Sequence, residues 1–337
     1  MKAVAYRESL PVTDPDSLLD VELADPVPTG HDLLVEVRAV SVNPVDTKMR
    51  MRSTPGPGEQ FVLGWDAAGV VAAIGPDVTL FKPGDEVWYA GAIDRPGSNA
   101  ELHVVDERIV GHKPRSLDFA RAAAMPLTAI TAWELLFERL RVPTGKAHDE
   151  TSLLVIGAAG GVGSMLIQLA RRLTGVRVIG TASRAETRDW VSELGAHAIA
   201  DHSKPLPTQL AQLHLPPVDR VASLTHTDQH FEQIIELLAP QGRLALIDDP
   251  GPLDIRLLKR KSLSLHWELM FTRSLFQTPD MVAQHRLLDD VAQLVDDGVI
   301  RTTLGEHFGT INAENLRRAH ALIESGRARG KVVLEGF

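Results

Sequence analysis

Residues 153–173 read LLVIGAAGGVGSMLIQLARRL. Four apolar residues, Leu153–Ile156, have the length and composition of a buried strand. They run into a glycine turn and then directly into an amphipathic helix. In that setting Gly160 lets the backbone approach a pyrophosphate, and Gly163 lets the new helix pack closely on the sheet. The N–H groups at the helix start then hold the phosphate charge. Ala159, Gly160, Gly161, Val162 and Gly163 are the expected cradle, with Ala158 at the first position of the usual G-x-G-x-x-G. The plainer alternative is a tight strand–helix turn without a ligand.

The same alternation continues on the C-terminal side. VRVIGTAS, AHAIADH, DRVASLT, GRLALIDD and LSLHWELM read as strands, and AETRDWVSELG and HFEQIIELLAP read as helices. Strand–helix alternation means a parallel sheet with crossover helices, and its ligand belongs at the carboxyl ends of the strands. Ile247, in GRLALIDD, is expected among the cofactor-binding residues. An NAD-preferring fold carries an acid at the end of the second strand to hold the ribose hydroxyls. Ala182 stands there, followed by Ser183 and Arg184. A carboxylate repels a 2′-phosphate, whereas a hydroxyl and a guanidinium bind it, so NADPH is the expected cofactor. Ser183 also reads as the N-cap of AETRDWVSELG, with Glu186 behind it, and the two roles are compatible.

The flanking segments differ in style. LLVEVRAVSV, AAGVVAAIG, GDEVWYAG and AELHVVDERIV are short β-patterned runs with Gly/Pro/Asp punctuation, as in a small barrel or sandwich. FARAAAMPLTAITAWELLFERL, residues 119–140, has helical spacing broken at Pro126. The tail returns as two amphipathic helices and a closing strand, KVVLEG. A length of 337 residues points to two domains rather than one core. The net charge of −9 disfavours nucleic acid, and no apolar run is long enough to span a membrane. The first residues carry no apolar signal core, so a cytoplasmic location is expected. With no cysteine, disulfides, catalytic thiols, iron–sulfur clusters and Cys-built zinc sites are excluded. His226 and His230 sit in HTDQH, without the Glu of a zincin helix, and His197 and His202 flank a short strand. All four are expected as packed or solvated histidines. Neither Tyr6 nor Tyr89 is followed four residues on by Lys, which removes the short-chain dehydrogenase pair.

AVSVNPVDTKMR (39–50), GWDAAGVV (64–71), KPGDEVW (82–88), AAAMPLTAITAWELLFERL, LVIGAAGGVGSMLIQLA and the closing GKVVL together resemble the medium-chain dehydrogenase/reductase superfamily. The nearest likeness is its quinone oxidoreductase branch, often filed under zinc-type alcohol dehydrogenase-like proteins. The resemblance implies an α/β fold class: a doubly wound parallel Rossmann sheet over residues 121–271 and a GroES-like β-barrel over residues 1–120. Residues 272–337 return to the barrel. A homodimer, paired through the edge strand LSLHWELM, is implied in the same way.

The departures from the zinc-dependent members are specific. Asn43 stands where those enzymes have a Cys, Gly64-Trp65-Asp66 replaces Gly-His-Glu, and the second catalytic Cys falls near Leu127. The four-Cys lobe has no counterpart around residues 89–98. One carboxylate does not make a tetrahedral zinc site, so no metal is expected. Without that Lewis acid, conjugate acceptors are the easier substrates, because charge delocalises over the enolate-like product. The resemblance thus implies hydride transfer from NADPH to quinones or α,β-unsaturated carbonyls. A reductase of aldehydes or ketones and a non-catalytic NADPH-binding redox sensor are the alternatives. Asn43 is the first choice for a substrate-facing donor, or else forms an Asx turn before Pro44. Asp46 orients the same loop, and Trp65 fills the emptied metal pocket or simply packs. Thr128 and Thr131 line the nicotinamide by resemblance, or bond back to helix carbonyls. Trp267 and Phe271 are candidates for the substrate pocket. Lys331 either reaches the cofactor phosphates or is a solvated strand-end lysine.

Overall fold

The computed structural model describes residues 1–145 and 151–337. The chain divides into two units, Met1–Ile130 with Phe271–Phe337, and Thr131–Met270. The division falls inside the helix Pro126–Trp133, which starts where Pro126 breaks the 119–140 pattern. Proline suits a first helical position because its missing N–H has no intrahelical partner there. The pattern then ends in a π-helical turn, Glu134–Arg139.

The first unit is built on a seven-stranded, mostly antiparallel sheet. Its spatial order is Leu304–His307, Lys331–Glu335, Asp32–Val42, Asp66–Ile74, Glu86–Ala90 and Val110–His112, with Leu102–Asp106 also paired to Asp32–Val42. The long strand alternates Leu33, Val35 and Val37 inward with exposed Glu36 and Arg38, which settles the face it buries. Its far end fixes the neighbourhood that matters most. Ser41 pairs with Asp66, and Val42 pairs with Val332. Asn43 then turns the chain into the helix Pro44–Arg52, a helix that apolar periodicity does not announce, since its residues are PVDTKMRMR.

The second unit is a six-stranded sheet, every pair parallel. Its order is Ala198–Ala200, Arg177–Thr181, Ser152–Ile156, Val218–Ser223, Leu238–Leu246 and Ser264–Trp267. Numbered along the chain, that is 3-2-1-4-5-6, the doubly wound Rossmann order, with its switch point between Ser152–Ile156 and Val218–Ser223. Leu154, Ile156, Ile179, Val221, Phe231, Leu244 and Leu246 fill the core beneath it. Among the described residues no helix is long and apolar enough to cross a membrane.

Candidate active site

At the switch point the strand Ser152–Ile156 ends and the helix Gly161–Leu173 begins. Gly157 has φ +81°, so it is this glycine, one place before Ala158, that makes the tight turn. Its N–H donates to Thr181 Oγ1 at 3.2 Å, tying the turn to the next strand. Gly160 is the N-cap, and a Cβ added there meets only Gly157 O, at 3.5 Å. That side of the turn therefore lies open to a ligand. Gly163 serves a different purpose: a Cβ there lies 2.5 Å from Gly157 O and 2.6 Å from Ala158 O. Ala159, Gly160, Gly161 and Val162 remain partly exposed while Gly163 is buried. The first-turn amides of a 13-residue helix have no carbonyl four residues back, so they offer donors and a partial positive charge to an anion. The residues present fit a dinucleotide pyrophosphate.

At the end of the second strand, Ala182 is buried at 1% exposure and Ser183 is exposed. Ser183 Oγ lies 3.2 Å from His202 Nε2, and Arg184 Nε lies 3.3 Å from Glu186 Oε1. Ser183 is not the helix cap. The helix runs Ala185–Glu193, its N-cap is Arg184, and no side chain caps it. The hydroxyl is one residue too early in the turn to reach the first helical amides. Ile247 directly follows the strand Leu238–Leu246. Next to it, Asp248 accepts from Thr227 N–H at 2.9 Å and Thr227 Oγ1 at 2.6 Å, and its carbonyl accepts from Trp267 Nε1 at 3.2 Å. Those bonds join the ends of three strands, and sequence reasoning had not singled out Asp248. Trp267 is 57% exposed at the end of the sheet's edge strand.

In the first unit, Asn43 and Leu127, two of the positions that the family resemblance set against zinc ligands, converge on Asp66. Its carboxylate is fully buried. Oδ1 accepts the Leu127 N–H at 2.7 Å; Oδ2 accepts Asn43 Nδ2 at 2.8 Å and Lys331 Nζ at 2.8 Å. Lys331 Nζ also donates to Val42 O at 3.2 Å and to Asn43 Oδ1. Thus a buried ammonium sits among the groups that would have to bind a cation. A zinc ion needs soft or imidazole donors with lone pairs directed at one point. Here the residues are an amide, an indole, a peptide N–H and a carboxylate already holding three donors. They do not fit zinc.

This network corrects several expectations. Lys331 is 3% exposed and ion-paired, so it is neither solvated nor a phosphate ligand; the Val42–Val332 register carries it inward. Asn43 is 1% exposed and its amide hydrogens go to Ser41 O, at 3.3 Å, and to Asp66, so it has no donor left for substrate. Asp46 is buried and accepts the Asn43 N–H at 2.7 Å, which makes it a helix-start cap instead of a pocket group. Burial pushes its carboxyl up to about 7, against the pull of that N–H and of Lys331. Thr128 Oγ1 donates to Met125 O at 2.9 Å, the back-bonded arrangement. Thr131 is buried at 5% exposure. Trp65 is fully buried, donates Nε1 to Ala92 O at 3.0 Å, and meets Phe271 edge-on with ring centroids 6.1 Å apart. Trp65 and Phe271 are thus brought together.

Residues 29–115 match the alcohol dehydrogenase GroES-like domain, and residues 194–334 match the domain described as zinc-binding dehydrogenase. A zinc-type alcohol dehydrogenase-like protein of Staphylococcus aureus (strain MSSA476) is 39% identical over 340 residues, covering 99% of each chain. The mitochondrial NAD(P)H oxidoreductase RTN4IP1 of Homo sapiens is 32% identical over 339 residues, covering 90% of this chain and 81% of its own. A Rhizobium etli CFN 42 structure, described as a candidate zinc-dependent alcohol dehydrogenase, has 59% identity and a TM-score of 0.96, covering 100% of this chain and 98% of that one. The quinone oxidoreductase from Coxiella burnetii has 27% identity and a TM-score of 0.80, covering 100% and 99%. With matches over nearly its whole length, the chain belongs to the medium-chain dehydrogenase/reductase superfamily, as an oxidoreductase of the zinc-type alcohol dehydrogenase-like kind.

Proposed function

We propose that the chain is an NADPH-dependent, zinc-independent reductase of quinones and α,β-unsaturated carbonyls. The observation that carries this reading is the buried Asp66–Lys331 pair, which lies beside Asn43 and Leu127, positions that the family resemblance sets against zinc ligands. Its ammonium is consumed by a carboxylate, an amide oxygen and a carbonyl, so it has little capacity left to polarise a substrate carbonyl as a metal does. Substrates whose transition state spreads its own charge suit such a site, because modest hydrogen bonds suffice. The quinone oxidoreductase among the similar structures favours the same substrate class.

When bound, the dinucleotide supplies the hydride. The chain's own residues do the holding: the amides of Gly161–Gly163 face the pyrophosphate, and Ser183 and Arg184 receive the 2′-phosphate. Ala182, short and buried, leaves no acid to oppose it. Trp65 and Phe271 form an apolar wall that accommodates a flat acceptor. The exposed Trp267, which ends the edge strand, and Leu269, two residues beyond it, at 57% and 50%, support a homodimer through that strand.

The test is NADPH oxidation by purified protein in chelator, against quinones, enones and saturated aldehydes, with NADH alongside. Turnover of conjugate acceptors, unchanged by chelator, is expected. Activity confined to simple carbonyls, or abolished by chelator, overturns the reading. Tight binding with no turnover on any acceptor points to the redox sensor instead.

A further inference from the structure

Three histidines crowd the place where the 2′-phosphate is proposed to bind. His202 follows the strand Ala198–Ala200 and touches Ser183 Oγ through Nε2. His230, on the helix Thr227–Leu237, is 9% exposed, with its ring centroid 6.5 Å from that of His202. The Nδ1 atoms of both rings are buried without a hydrogen-bond partner. His226 completes the group: it precedes that helix with φ +49°, a left-handed conformation unusual for a side-chain-bearing residue, and holds Thr225 Oγ1 at 2.7 Å. All of these groups follow, or lie just beyond, the carboxyl ends of parallel strands, where a doubly wound sheet binds its ligand. Among the described residues no group of three or more His, Asp or Glu is arranged to hold a metal. An anion is therefore the ligand that this collection of ring nitrogens and a guanidinium suits.

We infer that His202, backed by His226 and His230, is a specificity residue that makes the chain's preference for NADPH over NADH increase as pH falls. This rests on the proposed assignment of Ser183 and Arg184 to the 2′-phosphate. The surrounding charges set the sign. Burial lowers the affinity of His202 for a proton, His226 and Arg184 lower it further, and Asp201 opposes them. His230 is held down by burial, His202 and His226, with Asp228 opposing. Asp201 is itself engaged by Ser203 and Lys204, and Glu186 by Arg184. Without the phosphate, His202 is therefore neutral at pH 8. A dianion beside Ser183 reverses the balance, favours the imidazolium, and draws in a proton on binding. NADH has no 2′-phosphate and lacks this coupling.

The experiment measures dissociation constants of NADPH and NADH by cofactor fluorescence at pH 8.0 and 6.5, for wild type, His202→Gln and Arg184→Ala. Glutamine keeps a hydrogen bond to Ser183 but cannot take a charge. The phosphate's own second ionisation, near ~6, is common to all three proteins and cancels in the comparison. Between the two pH values the wild-type preference for NADPH should rise by about threefold to fivefold, as the phosphate draws a proton onto an imidazole that is mostly neutral at pH 6.5 without it. In His202→Gln it should change by less than about twofold, with the circular dichroism spectrum and Tm as the control for folding. Calorimetry of the wild type in two buffers of different ionisation enthalpy gives a reading independent of any variant: proton uptake with NADPH and none with NADH. Equal pH dependence in wild type and His202→Gln, or no proton uptake, overturns the inference. If NADPH is still preferred at pH 8.0 and Arg184→Ala removes that preference, the cofactor reading survives that failure. No preference at either pH overturns both.

Discussion

Replacing Lys331 by Met tests whether a buried charge pair organises the end of the barrel unit. The side chain keeps its length and loses its ammonium. Asp66, fully buried, is then left with the Asn43 amide at 2.8 Å and the Leu127 N–H at 2.7 Å. Removing one partner of a buried pair costs ~3–5 kcal/mol, because an uncompensated charge stays in a dry site. The two remaining N–H donors solvate that charge and place the expected loss near the lower end, about 3 kcal/mol. For a unit of this size that is roughly 6–12 °C in Tm. Urea and thermal unfolding followed by circular dichroism read it directly. The companion variants are Asp66→Asn and the double substitution. Removing both charges should cost less than the two single losses added, with a coupling of about 2 kcal/mol. A Lys331→Met loss below about 1 kcal/mol, or additivity within ~0.5 kcal/mol, would refute the argument that the ammonium compensates Asp66.

Three further outcomes are expected. Gly163→Ala forces a Cβ to within 2.5 Å of Gly157 O, so NADPH affinity should fall at least about tenfold, with a Tm loss of several degrees; unchanged binding removes the close-packing argument. Asp46 has a folded pKa pushed up to about 7, above its unfolded value, so the stability it contributes is complete at low pH and is lost as pH rises through 7. Asp46→Asn should therefore abolish a decline on the order of 2 kcal/mol between pH 5 and 8, read from urea midpoints. His103 behaves in the opposite sense: burial lowers its pKa to about 4, while the ring sits 2.9 Å from both Tyr89 Oη and Pro96 O. Its contribution is present above pH 6.5 and disappears as pH falls toward 4, so His103→Gln should lose less stability on acidification than wild type, by about 1–2 kcal/mol at pH 5.

Much of this molecule can be read from short stretches. The run from Leu153 to Leu173 specifies a strand, a turn and a helix through nearest-neighbour effects, and the parallel sheet follows from repeating that alternation. Where local signals were weak, elements went unannounced. The helix Pro44–Arg52 scatters its few apolar residues without a continuous stripe, and the helix Leu206–Ala211 is a short element among prolines. The turn glycine was also displaced by one residue, because G-A-A-G-G-V-G offers several glycines and only backbone geometry selects Gly157 for positive φ.

Side-chain roles were harder to read for a physical reason. Residue type and spacing along one element are properties of the chain itself, so the glycine run, the absence of an acid at Ala182 and the lack of any cysteine were all present in the string. Partnership is a property of register. Lys331 and Asp66 lie 265 residues apart and meet because Val42 pairs with Val332 while Ser41 pairs with Asp66. That pairing turned an expected substrate donor, Asn43, into a ligand of an internal ion pair, and a lysine expected at the cofactor phosphates or in solvent into its buried cation. Ser183 and His202 meet in the same way, across neighbouring parallel strands. No pattern within a single segment encodes such encounters, because their energy depends on burial and distance that arise only when the strands are aligned.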